Sequence, residues 1–269
     1  MSRRPLSAVV TTFNNAATLA RCLDSVAFAD EIVVLDSGSH DQTCAIAMAA
    51  GARLYTEPFR GYGPQKQSAI DKARHDWVLL LDADEELTPD AAAEIAAVLQ
   101  APGADGYTLP RLEWLFWRWP SALARPNRFL RLFDRRRTRM GDMPVHAAPQ
   151  VDGRVARLRA PFLHHGERDL HTKVDKLNHY STGLLADARP GKRRFLRLRM
   201  VLYPPFVFLR QYLFKRQVFN GSAGFIASAT MAWYAFLKSA KRLEAARRRG
   251  RPDQAGRDAG ADRTAPDPE

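Results

Sequence analysis

Asp82 and Asp84 stand two residues apart, directly after the apolar run Trp77-Val78-Leu79-Leu80-Leu81. A short, uncharged, β-prone run of this kind fits a strand at the centre of a parallel sheet, covered on both faces. Side chains two apart on an extended chain point the same way, so the spacing predicts both carboxylates facing one spot at the strand's tip. Two carboxylates on one side suit a hard divalent cation. Mg2+ commonly takes one or two of them together with substrate phosphates.

The elements that must position those acids can be read upstream and downstream. Leu6–Thr12 reads as a first strand, after which Leu19, Cys22, Leu23 and Val26 recur at helical spacing behind Asn15, a candidate N-cap. Glu31–Leu35 reads as a second buried strand ending at Asp36-Ser37-Gly38-Ser39. A second helix carries Thr43, Ile46, Ala47 and Ala50 on one face, with Gly51 to stop it. Arg53–Thr56 reads as a third strand, and a third helix opens near Pro64 and carries Ala69, Ile70 and Ala73. Beyond the acids, Thr88-Pro89-Asp90 is an N-cap, a first-turn proline and an acid suited to the helix dipole, followed by Ile95, Val98 and Leu99 as a buried face.

Alternating strands and helices predict an α/β fold, a mostly parallel sheet wound with right-handed crossovers and helices on both faces. Ligands of such sheets sit beyond the carboxyl ends of the strands. Those ends carry Thr11-Thr12-Phe13-Asn14, then Asp36-Ser37, then Asp82-Ala83-Asp84, so the polar clusters fall on one rim. No G-x-G-x-x-G follows the first strand, which counts against a dinucleotide cofactor, and no P-loop is present.

The chain has 269 residues with 46% hydrophobic and 26% charged, a globular composition. Its net charge of +12 implies an acidic partner: nucleic acid, anionic lipid or a phosphorylated substrate. No nucleic-acid-binding module accompanies the charge, so nucleic acid is not expected. Cys22 and Cys44 read as small core residues and argue for a reducing compartment. The start, Met1-Ser2-Arg3-Arg4-Pro5, leads into too short an apolar run for a signal peptide, which places the catalytic part in the cytoplasm.

Taken together, the motifs Val10-Thr11-Thr12-Phe13-Asn14-Asn15, Asp30 to Ser39, Gly61-Tyr62-Gly63-Pro64-Gln65-Lys66 and Trp77 to Glu86 resemble the family-2 glycosyltransferases of GT-A (Rossmann-like) fold. Arg131-Leu132-Phe133, Pro144-Val145-His146 and Lys176 to Ser181 extend the likeness toward lipopolysaccharide core β-glycosyltransferases, which add glucose to inner-core heptose. The resemblance implies a nucleotide-sugar donor, a UDP-sugar above all, with Thr11, Asn14, Asp36, Ser37, Lys66 and Asp82 lining its site. It implies Mg2+ or Mn2+ held by Asp82 and Asp84, with His164 completing the set. It also implies a lipid-linked saccharide as acceptor. Gln67 replaces a frequent asparagine, and Asn15 replaces a glutamate that relatives usually carry after Thr-x-Asn.

Relatives often read Val-His-Glu where this chain has Val145-His146-Ala147. Transfer needs a carboxylate within hydrogen-bond reach of the acceptor hydroxyl. Asp142, in the preceding Gly141-Asp142-Met143-Pro144 loop, is the first candidate for that base, with Glu85 and Glu86 behind it. Attack opposite the nucleotide would invert the anomeric centre. The other histidines, His146, His165, His171 and His179, fit no zinc pattern and read as structural or solvent-facing. Of Trp114, Trp117 and Trp119, two read as packing residues, with sugar stacking or a bilayer interface as the alternative. Rival readings are transfer to polyprenyl phosphate or a capsule intermediate, and a nucleotide-sugar-binding protein impaired in catalysis by Ala147.

Four blocks follow: 1–115 for the donor, 116–190 for the acceptor side, 191–246 as a basic, apolar helical region, and a disordered tail over 247–269. The uncharged run Val218–Leu237 approaches a bilayer span in length, but its polar residues and two basic flanks favour helices lying on the anionic inner-membrane surface. The protein is therefore expected at the cytoplasmic face of the inner membrane, peripheral, with a single span as the alternative.

Overall fold

The computed structural model describes residues 3–141, 148–166, 169–184 and 193–248. The chain forms two compact units, Met1–Asp169 and Leu170–Glu269.

In the first unit, β1 (Leu6–Thr12), α1 (Leu19–Ser25), β2 (Glu31–Asp36), α2 (Thr43–Ala49), β3 (Arg53–Thr56), α3 (Tyr62–Asp71) and β4 (Trp77–Asp82) follow the predicted alternation. Then come β5 (Glu85–Leu87), α4 (Pro89–Val98), β6 (Gly106–Glu113), β7 (Asn127–Asp134), β8 (Thr138–Met140), β9 (Pro149–Val151), β10 (Val155–Arg157) and β11 (Phe162–His164). Among the described residues, nine strands make one sheet in the order β3-β2-β1-β4-β7-β6-β11-β5, with β10 also beside β6, while β8 and β9 pair separately.

The β3-β2-β1-β4 half is parallel, as expected. Beyond β4 the sheet is mixed: β7 runs antiparallel to both β4 and β6, and β5 antiparallel to β11. The sheet is thus mixed and GT-A-like, with its parallel pairings, which include β6 with β10 and with β11, more numerous than its antiparallel ones among the described residues.

Burial follows the two-residue period of the strands. Leu6, Ala8 and Val10 of β1 and Trp77, Leu79 and Leu81 of β4 pack on one face with Leu19 and Leu23 of α1 and Ile95 of α4. Val9, Val78 and Leu80 pack on the other with Ala69 and Ile70 of α3. Covering both faces is what keeps these runs free of polar residues. Thr88 Oγ1 accepts from the Ala91 N–H at 3.2 Å, so α4 has the cap expected of it. Asn15 does not cap α1. Its side chain accepts from the Phe13 N–H, and a turn intervenes before Thr18, the residue at the cap position.

The second unit comprises α5 (Leu170–Gly183), α6 (Arg193–Leu209), a π-helical turn (Arg210–Phe214), a 3-10 turn (Gln217–Asn220) and α7 (Gly221–Arg248). Lys241 Nζ on α7 donates to the Asn178 carbonyl at 2.8 Å and to Thr182 Oγ1 at 2.7 Å on α5. Gly224 lies where the Gln217 carbonyl passes so close that a Cβ would overlap it. Among the described residues no helix is long and apolar enough to cross a membrane. The helix there, α7, is long enough, but Ser222, Gly224, Ser228 and Thr230 dilute the apolar residues of its uncharged part and Lys238 follows. That corrects the single-span alternative. Residues 249–269, expected to be a disordered tail, lie outside the described residues.

Candidate active site

The three central strands end level. In the parallel registers Thr11 of β1 pairs with Asp82 of β4, and Thr12 pairs with Asp36 of β2. The side chains expected to act are thus delivered to one rim by strand pairing alone.

Asp82 is the last residue of β4, and cations meet both of its oxygens. Lys66 Nζ on α3 lies 2.5 Å from Oδ1, to which the Thr11 hydroxyl also donates at 3.4 Å. Arg131 Nη2 on β7 lies 3.3 Å from Oδ2. Burial works against the charge on Asp82, but Lys66 and Arg131 outweigh it and hold the carboxyl well below the usual range. One third of the side chain, 33%, stays open to solvent.

Asp84 comes after the strand's end. The strand stops at Asp82 and the chain turns at Ala83 and Asp84, so the two-residue alternation that would have aligned the acids no longer applies. Asp84 Oδ2 instead lies 3.3 Å from His164 Nε2. His164 ends β11, where it pairs with Glu113 of β6 on one side and Glu85 of β5 on the other. Its Nδ1 is 3.7 Å from Glu113 Oε1, too long for a hydrogen bond. Burial disfavours a charged imidazole, yet Asp84 and Glu113 together push the His164 value up to about 9.

Glu85 and Glu86 occupy opposite faces of β5. Glu85 is buried, with Oε1 2.5 Å from Arg131 Nη2 and 3.8 Å from Arg111 Nη1, while Oε2 accepts from the Asp82 N–H at 3.1 Å. Burial pushes its carboxyl up against the pull of Arg131. Enclosed in this way, Glu85 is the counter-ion of Arg131. Glu86 faces the other way. It meets His165 Nε2 at 2.8 Å and lines an open groove with Arg21, Asp24 and Thr88. The His165 ring is 5.3 Å from Trp119, which packs edge-on against Trp114 at 5.1 Å, whereas Trp117 is exposed.

Asp36, Ser37 and Asn14 form a neighbouring loop pair. Asp36 accepts from the N–H groups of Gly38 and Ser39 at 2.8 Å each, and from the Ser39 hydroxyl. Ser37 N–H donates to the Thr12 carbonyl at 2.9 Å. Asn14, at φ 52°, accepts from the His40 N–H at 2.9 Å. Gln67, beside Lys66, accepts from the Met140 N–H at 2.9 Å. Asp142, His146 and Ala147 lie outside the described residues.

Among the described residues no three His, Cys, Asp or Glu side chains gather as a ready-made metal cage. Asp84 and His164 offer one carboxylate and one imidazole, and the buried His164 Nδ1 has no hydrogen-bond partner. A partial donor set of this kind fits Mg2+ or Mn2+ that completes its shell with phosphate oxygens and water. Asp82, whose oxygens already meet Lys66 and Arg131, fits that role less well.

Arg131, Arg111 and Glu113 had no role in the sequence reading. Arg131 carried a usable signal, a charge inside the apolar strand Phe129-Leu130-Arg131-Leu132-Phe133, which is tolerated only beside a buried counter-charge.

Comparison with known proteins places the chain in a family. The family described as Glycosyl transferase family 2 matches residues 7–150. The chain is 35% identical over 263 residues to the lipopolysaccharide core biosynthesis glycosyltransferase LpsC of Rhizobium meliloti, covering 93% of this chain and 96% of that one. It is 27% identical to the uncharacterized glycosyltransferase RP128 of Rickettsia prowazekii, covering 88% of this chain and 86% of that protein. Among solved structures, glucosyl-3-phosphoglycerate synthase from Mycobacterium tuberculosis, in complex with Mn2+, UDP and glucosyl-3-phosphoglycerate, aligns at a TM-score of 0.35 and 26% identity over 41% of this chain and 44% of that chain. S. aureus TarS 1-349 aligns at a TM-score of 0.46 and 15% identity, over 91% and 92%. With the family pattern matching residues 7–150, more than half of the chain, and the match to LpsC running nearly end to end, the chain belongs to glycosyl transferase family 2 and is a glycosyltransferase.

Proposed function

We propose that the protein transfers a sugar, glucose in the first instance, from a UDP-sugar to a lipid-linked saccharide of the lipopolysaccharide inner core, with inversion, at the cytoplasmic face of the inner membrane. The observation that carries the reading is the near end-to-end match to a lipopolysaccharide core glycosyltransferase.

In this reading the donor diphosphate lies over the tips of β1, β2 and β4. Thr11, Asn14, Asp36 and Ser37 border its nucleoside end. Lys66, held at the rim by Asp82, turns its ammonium toward the diphosphate. Asp84 and His164 would hold Mg2+ or Mn2+, and the cation would supply positive charge to a leaving diphosphate. Arg131 stays between Asp82 and Glu85 and fixes both carboxylates, so the rim keeps its shape as charge moves. Asp142 is the proposed base for the acceptor hydroxyl. Glu86, already oriented by His165, comes second.

Incubation with a panel of nucleotide-sugars, with and without Mn2+ and with a lipid-linked core acceptor, tests the reading. Metal-dependent UDP release coupled to a glycosylated acceptor is expected. Binding of donor without turnover on any acceptor would replace transfer by the impaired, nucleotide-sugar-binding alternative.

A further inference from the structure

A row of large apolar side chains lies uncovered along α6. Phe195, Leu198, Leu202, Phe206 and Leu209 follow one another at intervals of three, four, four and three residues, one face of a helix. Each is about half exposed or more, and Leu213 continues the row into the π-helical turn. The opposite face is in use: Leu196 and Val207 are buried, and α6 packs on α7. The sequence had pointed to the whole basic, apolar region 191–246 as lying on the membrane surface, with 218–237 as the run that approaches a span. In the folded unit α7 instead commits Ala223, Gly224, Ser228, Tyr234 and Ala235 to its interior.

Charge narrows the choice of what covers this row. From Arg193 to Arg248 there are twelve lysines and arginines and one acid, Glu244. Arg197 and Arg199 interleave the apolar row, and Arg210, Lys215 and Arg216 close its far end. Residues 249–269 contain no Val, Ile, Leu, Met, Phe, Tyr or Trp, so this tail has nothing with which to fill the face. A second copy would set one row of guanidinium groups against another with no acids between them. A polyanion such as nucleic acid would meet the charges and leave the apolar row in water.

A leaflet of anionic lipid satisfies both features. Acyl chains take the Phe and Leu side chains, and headgroup phosphates take Arg and Lys, whose long stems allow the charged ends to reach up. The 17 residues of α6, at about 1.5 Å each, make a rod that lies in the interface plane. We propose that α6 is a monolayer-inserting helix that docks the protein on an anionic membrane surface through Phe195, Leu198, Leu202, Phe206 and Leu209. The proposal deepens the transfer reading, which calls for a lipid-linked acceptor, but it is tested without any transfer.

The full chain is mixed with vesicles of phosphatidylcholine alone, or with phosphatidylglycerol added, and sedimented. Sedimentation with the anionic vesicles only, weakened by salt, is expected. The exposed pair Leu198→Glu and Phe206→Glu should lower vesicle partition at least ten-fold, with helix content unchanged by circular dichroism. Arg197→Gln and Arg210→Gln should each lower it about five-fold. Hydrolysis of soluble donor should be the same in all of them. Failure of wild-type protein to sediment with anionic vesicles overturns the proposal, as does unchanged partition of the Leu198→Glu, Phe206→Glu variant. A dimer that this variant dissociates would assign the face to a second copy instead. If wild-type protein binds vesicles but never uses a donor, the transfer reading falls and the docking face stands.

Discussion

Arg131 reaches two carboxylates at once, Glu85 at 2.5 Å and Asp82 at 3.3 Å, and it is the near cation of the buried Glu85. Removing one partner of a buried ion cluster leaves the others uncompensated, which typically costs about 3–5 kcal/mol. Arg131→Met should therefore lower the unfolding midpoint clearly in a thermal melt, before activity is considered. Asp84→Asn should behave in the opposite way. Its side chain sits in a turn and its partner is His164, so stability should hold while metal-dependent turnover falls by about 10²–10³-fold, the usual loss when a charge-stabilising group is removed. Titrating Mn2+ by electron paramagnetic resonance would show weaker binding in the same variant. A normal midpoint for Arg131→Met, or normal Mn2+ binding for Asp84→Asn, would reverse this division of labour. The acids were legible in the sequence because they end an apolar run. Their separation into two partnerships was not, since it depends on the strand stopping one residue before Ala83.

At the scale of the element, the apolar runs that alternate with helices announced themselves, whereas β6 and β7, eight residues each and interrupted by arginines, did not, and neither did the three-residue strands. The runs 6–12, 31–36 and 77–82 each carry enough consecutive apolar residues to be read as buried strands, and their parallel order follows from the helices between them. β5, β10 and β11 have three residues each, yet they bring Glu85, Glu86 and His164 to the rim. Their pairing is set by neighbours distant in sequence, which no local pattern encodes. Asn15 shows the same limit: a good capping residue was diverted to the Phe13 N–H because the chain needed a turn before α1. In the second unit the crossing of the 3-10 turn over α7 depends on Gly224. A methyl group there meets backbone that cannot yield as a flexible side chain would. Gly224→Ala should cost about 1–3 kcal/mol, visible as an earlier loss of helical circular dichroism on heating. An unchanged melt would mean that the turn can shift without loss.

For the molecule as a whole, a net charge of +12 means that acidification adds repulsion to a chain already rich in cations. Glu31 makes the effect concrete. Burial opposes its charge, but the Ser7 hydroxyl, the Arg74 N–H and the Arg53 guanidinium outweigh that and hold the carboxyl below its ordinary value of 4.5. A carboxyl depressed in the folded state contributes stability that is fully present above the unfolded value and lost as pH falls through the folded one. Asp134, paired with Arg136, is shifted the same way. The unfolding midpoint should thus fall steeply below about pH 4, and it should also decline on the alkaline side, because the raised His164 contributes stability that is present below its ordinary value of 6.5 and lost as pH rises through about 9. Glu31→Gln should lower it at neutral pH and shallow the acid limb. A midpoint that falls equally in the variant would place the acid sensitivity elsewhere.

The central position of β1 has a consequence for how the chain comes off the ribosome. β1 is synthesised first, yet one of its two neighbours, β4, pairs Thr11 with Asp82 and emerges only after β2, β3 and their helices. Until then Leu6–Thr12 presents an open hydrogen-bonding edge with apolar side chains on both faces, the kind of surface that recruits other nascent strands. In the second unit α6 and α7 are consecutive helices that pack on each other without such a wait and are suited to rapid assembly. The slow and vulnerable step in making this enzyme is therefore the closing of its oldest strand, and a holding chaperone would act on the first seventy or so residues to be made.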